Sequence, residues 1–174
     1  MKILKKSFFI FMILFVLLSI VGCGDNGGKE EPKDDRLTVT FDCDGGTSIE
    51  NVKLESGQTL VNNFSSVKEG YEFITWVCDE YEYNFDLPVT KDITLKAIWL
   101  ENYDEDVQTV VYFDTDGAKY IEPIVINIGD KIEEPEKPIK KGYGFRNWAD
   151  SFDNKKFNFS NSIEEELHLI AIYD

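Results

Sequence analysis

Val39–Gly46 reads VTFDCDGG, and a closely similar stretch, VYFDTDGA, returns at Val111–Ala118. The offset between the two is 72 residues, from position 39 to position 111, and it also places Trp76 on Trp148. Beyond the tryptophan the offset becomes 74. A two-residue insertion in the Asp150–Lys156 loop explains the change, since surface loops tolerate insertions. The chain therefore holds two copies of one small module, and repeats must be found before domains are sized.

Short segments of each copy alternate apolar and polar residues, which is typical of half-buried strands. In copy one the clearest segments are Leu37–Phe41 and Ile93–Trp99. The predicted order in each copy is strand, strand, short helix or loop, strand, short strand, strand. Pro135 and Pro138 limit any helix in copy two to a turn or two, because proline interrupts helical hydrogen bonding.

Residues 1–22 have the layout of a bacterial export signal. Lys2, Lys5 and Lys6 precede an apolar run from Phe8 to Val21, which is short for a membrane span of about 20 residues. The run ends in IVGC at Ile20–Cys23, which resembles the lipobox of bacterial lipoproteins. That resemblance implies a diacylglyceryl group on the Cys23 thiol. The other interpretation is an uncleaved anchor helix that happens to end in cysteine.

The stretch that follows is expected to be a tether. Residues 23–36 comprise the lipidated cysteine and a Gly-rich, charged segment with few apolar side chains to bury, which favours a flexible linker. The predicted location is the cell membrane, with the protein lipid-anchored on its extracytoplasmic face.

The chain is strongly acidic. Its formal net charge is −15, and loss of Lys2, Lys5 and Lys6 with the signal would leave −18. Such a surface argues against a nucleic-acid partner, whose binding depends on phosphate neutralisation. It also means that membrane contact would depend on the lipid anchor.

Three motifs of the modules are similar to those of a known family. They are V-x-F-D-x-x-G-G at Val39–Gly46, G-Y-x-F-x-x-W at Gly70–Trp76, and F-D-x-P-V-T-x-D-I-T-L-x-A-x-W at Phe85–Trp99. Together they resemble the Listeria–Bacteroides repeat, the B-repeat type of internalin B; copy two diverges further, with Tyr173 in place of the final tryptophan. The resemblance implies an α+β, mostly β fold of two tandem, small ubiquitin-like β-grasp modules. It also implies carriers that are bacterial surface proteins or lipoproteins, no enzyme activity, and a role in binding or adhesion.

The expected domain organisation is module 1 at residues 37–100, a linker at 101–108, and the more divergent module 2 at 109–174. The linker is acidic and poor in core-pattern residues, as domain boundaries often are. The two copies are therefore expected to be separate folding units.

The sequence gives little indication of a catalytic site or a metal site. The chain has one histidine, His168, which is predicted to lie on the polar face of the last strand. A single histidine and acidic runs without calcium-loop spacing predict no metal site, no catalytic residue and no cofactor besides the lipid on Cys23.

Cys43 and Cys78 both lie in copy one, and their counterparts in copy two are Thr115 and Asp150. Both cysteines are missing from copy two together, which is the pattern expected if they form a disulfide specific to copy one in an oxidising compartment. The alternative is two separate thiols, since a Cα separation above about 7 Å forbids the bond.

A binding surface is sought among tyrosines that differ between the copies: Tyr81, Tyr103, Tyr112 and Tyr120. Tyrosine is enriched at interfaces because it combines apolar area with a polar tip. The predicted function is a lipid-anchored, non-catalytic binding or adhesion protein whose ligand is an unknown protein or glycan. The alternatives are a structural spacer and an accessory lipoprotein of an envelope complex.

Overall fold

The computed structural model describes residues 34–174. The predicted signal, Cys23 and the tether as far as residue 33 lie outside this range. Within it the strands, in chain order, are β1 (Leu37–Asp42), β2 (Val52–Leu54), β3 (Tyr71–Cys78), β4 (Tyr81–Glu82), β5 (Ile93–Glu101), β6 (Gln108–Asp114), β7 (Ile124–Asn127), β8 (Phe145–Asp150) and β9 (Leu167–Tyr173). No helix in this part of the chain is long and apolar enough to cross a membrane.

Each module forms one mixed sheet. Module 1 has the strand order β2-β1-β5-β3-β4, and module 2 has the matching order β7-β6-β9-β8. In both sheets the last strand lies parallel to the first and antiparallel to the third. The predicted first, second, third and last strands are confirmed in both copies. The short fourth strand is confirmed in module 1, whereas its counterpart in module 2 is the isolated bridge between Ala149 and Lys156.

The mostly β expectation is confirmed, but residues 34–174 contain no helix, so the helical part of the α+β expectation is not found there. In module 1 the segment between β2 and β3 is held as an irregular loop by buried Leu60 and by a hydrogen bond of 3.2 Å from Trp76 Nε1 to the Phe64 carbonyl oxygen. In module 2 the two prolines of the equivalent segment oppose helix formation.

Each module has its own aromatic core on one face of its sheet. Trp76 is 2% exposed and lies 5.2 Å, centroid to centroid, from both Phe41 and Phe73. Trp148 is equally buried in module 2, and the equivalent residues, Phe113 and Phe145, pack edge-on against it. Recurring aromatics thus supply the buried area that modules of this size need.

The opposite face of each sheet is apolar and buried in part. Several buried side chains belong to neither core: Val77, Ile98, Leu100, Val110 and Ala149. The modules meet directly where the Tyr120 N–H donates to the Glu80 carbonyl oxygen at 2.8 Å, beside an ion pair between Lys119 and Glu80. Residues 35–174 accordingly form one compact unit, which differs from the expectation of two separate units.

The two modules differ in the size of the residue at the end of the first turn and of the last aromatic residue. At Gly46 an added Cβ would lie 2.6 Å from the Trp99 ring and would also collide with the Ser66 hydroxyl oxygen. The equivalent residue in module 2 is Ala118, which is buried. The counterpart of Trp99 is the smaller Tyr173, whose hydroxyl donates a hydrogen bond of 2.9 Å to the Thr115 carbonyl oxygen at the start of the same turn. The last aromatic of each module therefore matches the size of the residue at the end of its first turn.

Replacing Gly46 by alanine is expected to lower the free energy of unfolding by about 1–3 kcal/mol, because the new methyl group overpacks the site. Adding Trp99→Tyr should restore part of that loss, with the remainder due to Ser66. Chemical denaturation of the single and double variants measures this. Equal stability of Gly46→Ala and the parent would contradict the steric explanation.

Candidate functional site

The four candidate tyrosines differ in exposure. Tyr81 on β4 is 49% exposed, whereas Tyr103, Tyr112 and Tyr120 are half-buried. Burial raises the pKa of the Tyr120 hydroxyl, and the nearby carboxylates of Glu82 and Glu122 raise it further. Tyr120 is therefore largely committed to the contact between the modules, and Tyr81 is the most accessible of the four.

Tyr112 and Tyr120 are brought together in a groove of about 350 Å³ between the modules. Module 1 contributes Ile74, Thr75 and Glu82 to this intermodule groove, and module 2 contributes His168 and Ser151 among others. The groove presents aromatic, hydroxyl and carboxylate groups side by side, a combination suited to orienting a bound molecule.

His168 lies at the edge of this groove, on the strand face that the sequence predicted. Its ring stacks on Tyr112, with 4.7 Å between centroids, and its Nε2 lies 2.7 Å from a Glu166 carboxylate oxygen. Tyr112 and His168 are direct partners in the parallel pairing of β6 and β9. Burial raises the pKa of the Tyr103 hydroxyl, and the charge of Glu166 raises it further. Tyr103 is therefore under the influence of the same carboxylate.

A second depression adjoins the groove in module 2. This acidic cleft has a volume of about 540 Å³ and is lined by Asp150–Phe152, Phe157 and Ser162–His168. It shares Ser151 and His168 with the intermodule groove. Phe152 stands at the cleft and is 95% exposed, which is unusual for a phenylalanine.

The acidic cleft was missed at the level of the sequence. Phe152 lies in the loop that carries the two-residue insertion, and the residues at Glu164–Glu166 replace Thr90–Asp92 of copy one. The insertion and the change from Lys91 to Glu165 were the signals available. Neither signal indicates a cleft until the sheet places the two segments side by side.

Cys43 and Cys78 are free thiols in the structure, Cys43 buried and Cys78 half-buried. Cys43 directly follows β1 and Cys78 ends β3, and these two strands flank β5 on opposite sides. Strands two positions apart in a sheet are separated by about 10 Å, which exceeds the reach of a disulfide. The suggested bridge is therefore not formed here. Burial raises the pKa of the Cys78 thiol, and the charge of Asp79 adds to that effect.

Metal-binding geometry is likewise not found in this part of the chain. Across residues 34–174, no three His, Cys, Asp or Glu side chains are grouped in a way that could hold a metal ion. The side chains that line the groove and the cleft carry aromatic rings, hydroxyls, an imidazole and carboxylates.

Comparison with known proteins agrees with the repeat boundaries of the fold. The model of the Listeria–Bacteroides repeat domain matches residues 38–98 and 110–172. A protein of Evansella cellulosilytica named "Putative membrane protein" is 29% identical over 140 residues, which is 77% of this chain and 20% of that protein. Internalin H of Listeria monocytogenes is 27% identical over 131 residues, covering 72% of this chain and 22% of the internalin.

The chain thus spans about a fifth of the length of these relatives, and the similarity concerns their repeats. Both sheets, with their matching strand orders, coincide with the two matched segments. The chain belongs to the Listeria–Bacteroides repeat family, with two tandem copies of the repeat.

Proposed function

We propose that this protein is lipid-anchored at the extracytoplasmic face of the cell membrane and binds a partner there without catalysis. The observation that carries the proposal is the family match over both modules. The names of the relatives, a membrane protein and an internalin, support a membrane or surface location. We further propose that each module is a β-grasp unit without its helix, supported by the parallel pairing of the first and last strands at the centre of each sheet.

The anchor is proposed to be the Cys23 thiol. A diacylglyceryl group on this residue, with a further acyl chain where one is added, would meet the two-chain requirement for stable membrane attachment. The tether would then separate the compact unit from the bilayer.

Cys23→Ala is expected to abolish incorporation of labelled fatty acid and to leave the precursor at full size, because the modified thiol would be missing. Metabolic labelling followed by electrophoresis measures both. Cys43→Ala is the matched control and should keep normal labelling and processing. Labelled, processed Cys23→Ala protein would contradict lipidation at this residue.

Binding is proposed to use the intermodule groove. The groove combines Tyr112 and Tyr120 with polar groups from both modules, so a ligand there would contact both repeats at once. A spacer would have no need of such a surface, and an accessory lipoprotein would take its partner from the same membrane.

The test is affinity capture by the full chain from envelope extracts and from host-surface extracts. Tyr112→Ala is expected to reduce capture by at least about tenfold if Tyr112 is a binding hot spot. Tyr143→Ala is the control, because Tyr143 is an exposed tyrosine outside the groove. Capture of no partner would favour the spacer, and equal capture by both variants would show that binding does not depend on Tyr112. Partners from the envelope alone would favour the accessory lipoprotein.

A further inference from the structure

Strand β7 lies at the edge of the module 2 sheet, with β6 on its inner side. It pairs antiparallel with β6, and the next hydrogen bond of this ladder runs from the Ile128 N–H to the Val107 carbonyl oxygen at 3.0 Å. The backbone groups of successive residues in a strand point alternately to its two sides. The backbone groups of Ile128 therefore point to β6, and those of Val125 and Asn127 point away from the sheet.

The outward backbone groups of β7 are mostly without partners. Within residues 34–174 no hydrogen bond is made by the N–H or the carbonyl oxygen of Val125, or by the N–H of Asn127. The Asn127 carbonyl oxygen accepts a hydrogen bond of 3.0 Å from the Asp130 N–H. Pro123, just before β7, continues the alternation with a carbonyl oxygen but has no N–H. The edge therefore offers two donors, at Val125 and Asn127, and two acceptors, at Pro123 and Val125.

The equivalent strand of module 1, β2, carries a charge where β7 has none. Residues 52–56 read VKLES, whereas residues 124–128 read IVINI. Charged side chains, lysine above all, protect an edge strand from pairing with a further strand. Val125 takes the place of Lys53, so β7 lacks this protection. Ile124, at one end of β7, is 38% exposed, so the unprotected edge is also apolar.

Module 1 also covers an outward N–H that module 2 leaves open. The N–H of Glu55, which is equivalent to that of Asn127, donates a hydrogen bond of 2.9 Å to the side-chain oxygen of Gln58. The residue at the Gln58 position in module 2 is Asp130, and its carboxylate accepts a hydrogen bond from the Asn127 side chain instead. Module 2 thus lacks both features that cover the edge of module 1.

We propose that two copies of the protein associate by antiparallel pairing of β7 with β7, with the two Val125 residues directly opposite each other. In this register the Val125 N–H of each copy donates to the Val125 carbonyl oxygen of the other. The Asn127 N–H of each copy donates to the Pro123 carbonyl oxygen of the other. The N–H that Pro123 lacks would have met the Asn127 carbonyl oxygen, which the Asp130 N–H already satisfies. The edge is therefore complementary to itself, as a two-fold interface requires.

The same register brings apolar side chains together and keeps like charges apart. Ile124 of each copy lies opposite Ile126 of the other, and pairs of β-branched side chains stabilise antiparallel sheets. Glu122, the acidic residue nearest to the start of β7, falls opposite Ile128 of the other copy. The same pairing of β2 would instead place two Lys53 side chains opposite each other, which is destabilising. A second copy therefore fits the edge of module 2 and not that of module 1.

This inference goes beyond the proposed function, because it concerns copies of the chain and not an external partner. The contact consists of one short strand from each copy, so it belongs to the small, weak class of interfaces. The dimer is therefore expected to depend on concentration. Anchoring of both copies in one membrane would raise their effective concentration.

The test is sedimentation equilibrium of the full chain, purified in detergent, at concentrations from about 10 μM to about 1 mM. The parent is expected to show a monomer–dimer equilibrium. Val125→Lys is expected to weaken the dimer by at least about tenfold, because it places two ammonium groups opposite each other. Val61→Lys is the matched control, since Val61 is 69% exposed and lies outside the strands, and it should change the dimer constant by less than about threefold. A parent that is monomeric throughout, or equal weakening by the two variants, would overturn the proposal.

A cross-linking experiment tests the register. Val125→Cys in a Cys78→Ser background is expected to give a covalent dimer with a short bis-maleimide, because opposite Cα atoms of an antiparallel pair lie about 5 Å apart. Val61→Cys in the same background is the control and should remain monomeric. Cross-linking of Val125→Cys no stronger than that of the control would contradict the pairing. Val125→Pro replaces Val125→Lys if the lysine variant is poorly folded, since it removes the outward N–H at an edge position where proline is tolerated.

Discussion

Replacement of Trp76 by alanine is expected to lower the free energy of unfolding by about 3–5 kcal/mol, which is comparable to the whole stability of a small domain. The indole is buried against Phe41 and Phe73, so its removal leaves a cavity in the centre of module 1. The variant also loses the hydrogen bond from Nε1 to the Phe64 carbonyl oxygen, which holds the loop between β2 and β3.

Thermal unfolding followed by circular dichroism measures the Trp76 effect. The matched control is Phe152→Ala, because this exposed ring has little packing to lose and surface substitutions usually stay within about 0.5 kcal/mol. A Trp76→Ala protein that melts with the parent would show that the indole contributes little to the core.

Ile98→Asp is expected to separate the unfolding of the two modules and to destabilise the chain by several kcal/mol. It places a carboxylate at a buried position near Glu80 and Glu122, where Lys119 is already paired with Glu80. Ile98 is 7% exposed on the back face of β5. It faces a depression between the modules to which module 2 contributes Lys119, Tyr120 and Glu122. The parent is expected to unfold in one transition, since the modules share the hydrogen bond and the ion pair at Glu80.

Scanning calorimetry measures the Ile98 effect. Thr94→Asp provides the control, because Thr94 is an exposed residue of the same strand and lines the same depression. We expect one transition in the parent and in Thr94→Asp, and two in Ile98→Asp. Two transitions in the parent would restore the interpretation of separate folding units.

The strand positions were predictable because alternation reports burial on one face of a strand directly. Leu95, Ala97 and Trp99 contact the core of module 1, as their spacing indicated. Ile98 and Leu100 gave a second signal, since both are apolar on the face expected to meet solvent. Interpreting that signal requires knowing what covers the face, and a strand pattern does not identify a partner sheet.

The candidate site was less predictable for the same reason. Tyr120 was selected because it differs between the copies, but the structure places it between the modules. His168 was placed on the correct face, yet its stacking on Tyr112 depends on the pairing of β6 with β9. The acidic cleft depends on residues about 15 positions apart in sequence, from Asp150 to Glu165, which the sheet brings to one edge.

The match between Gly46 and Trp99 in one module, and between Ala118 and Tyr173 in the other, has an evolutionary consequence. Tandem repeats are commonly lost by recombination between copies, which joins the start of one to the end of another. Loss of one copy in this way would join the glycine turn of module 1 to the phenol of module 2, and the alanine turn would meet the indole only in the reciprocal product. The first hybrid lacks the large ring that lies against Gly46, and the second carries the methyl group that overlaps that ring. Both hybrids lose the match in size and are expected to be less stable than their parents. Each first turn is thereby tied to the last strand of its own repeat.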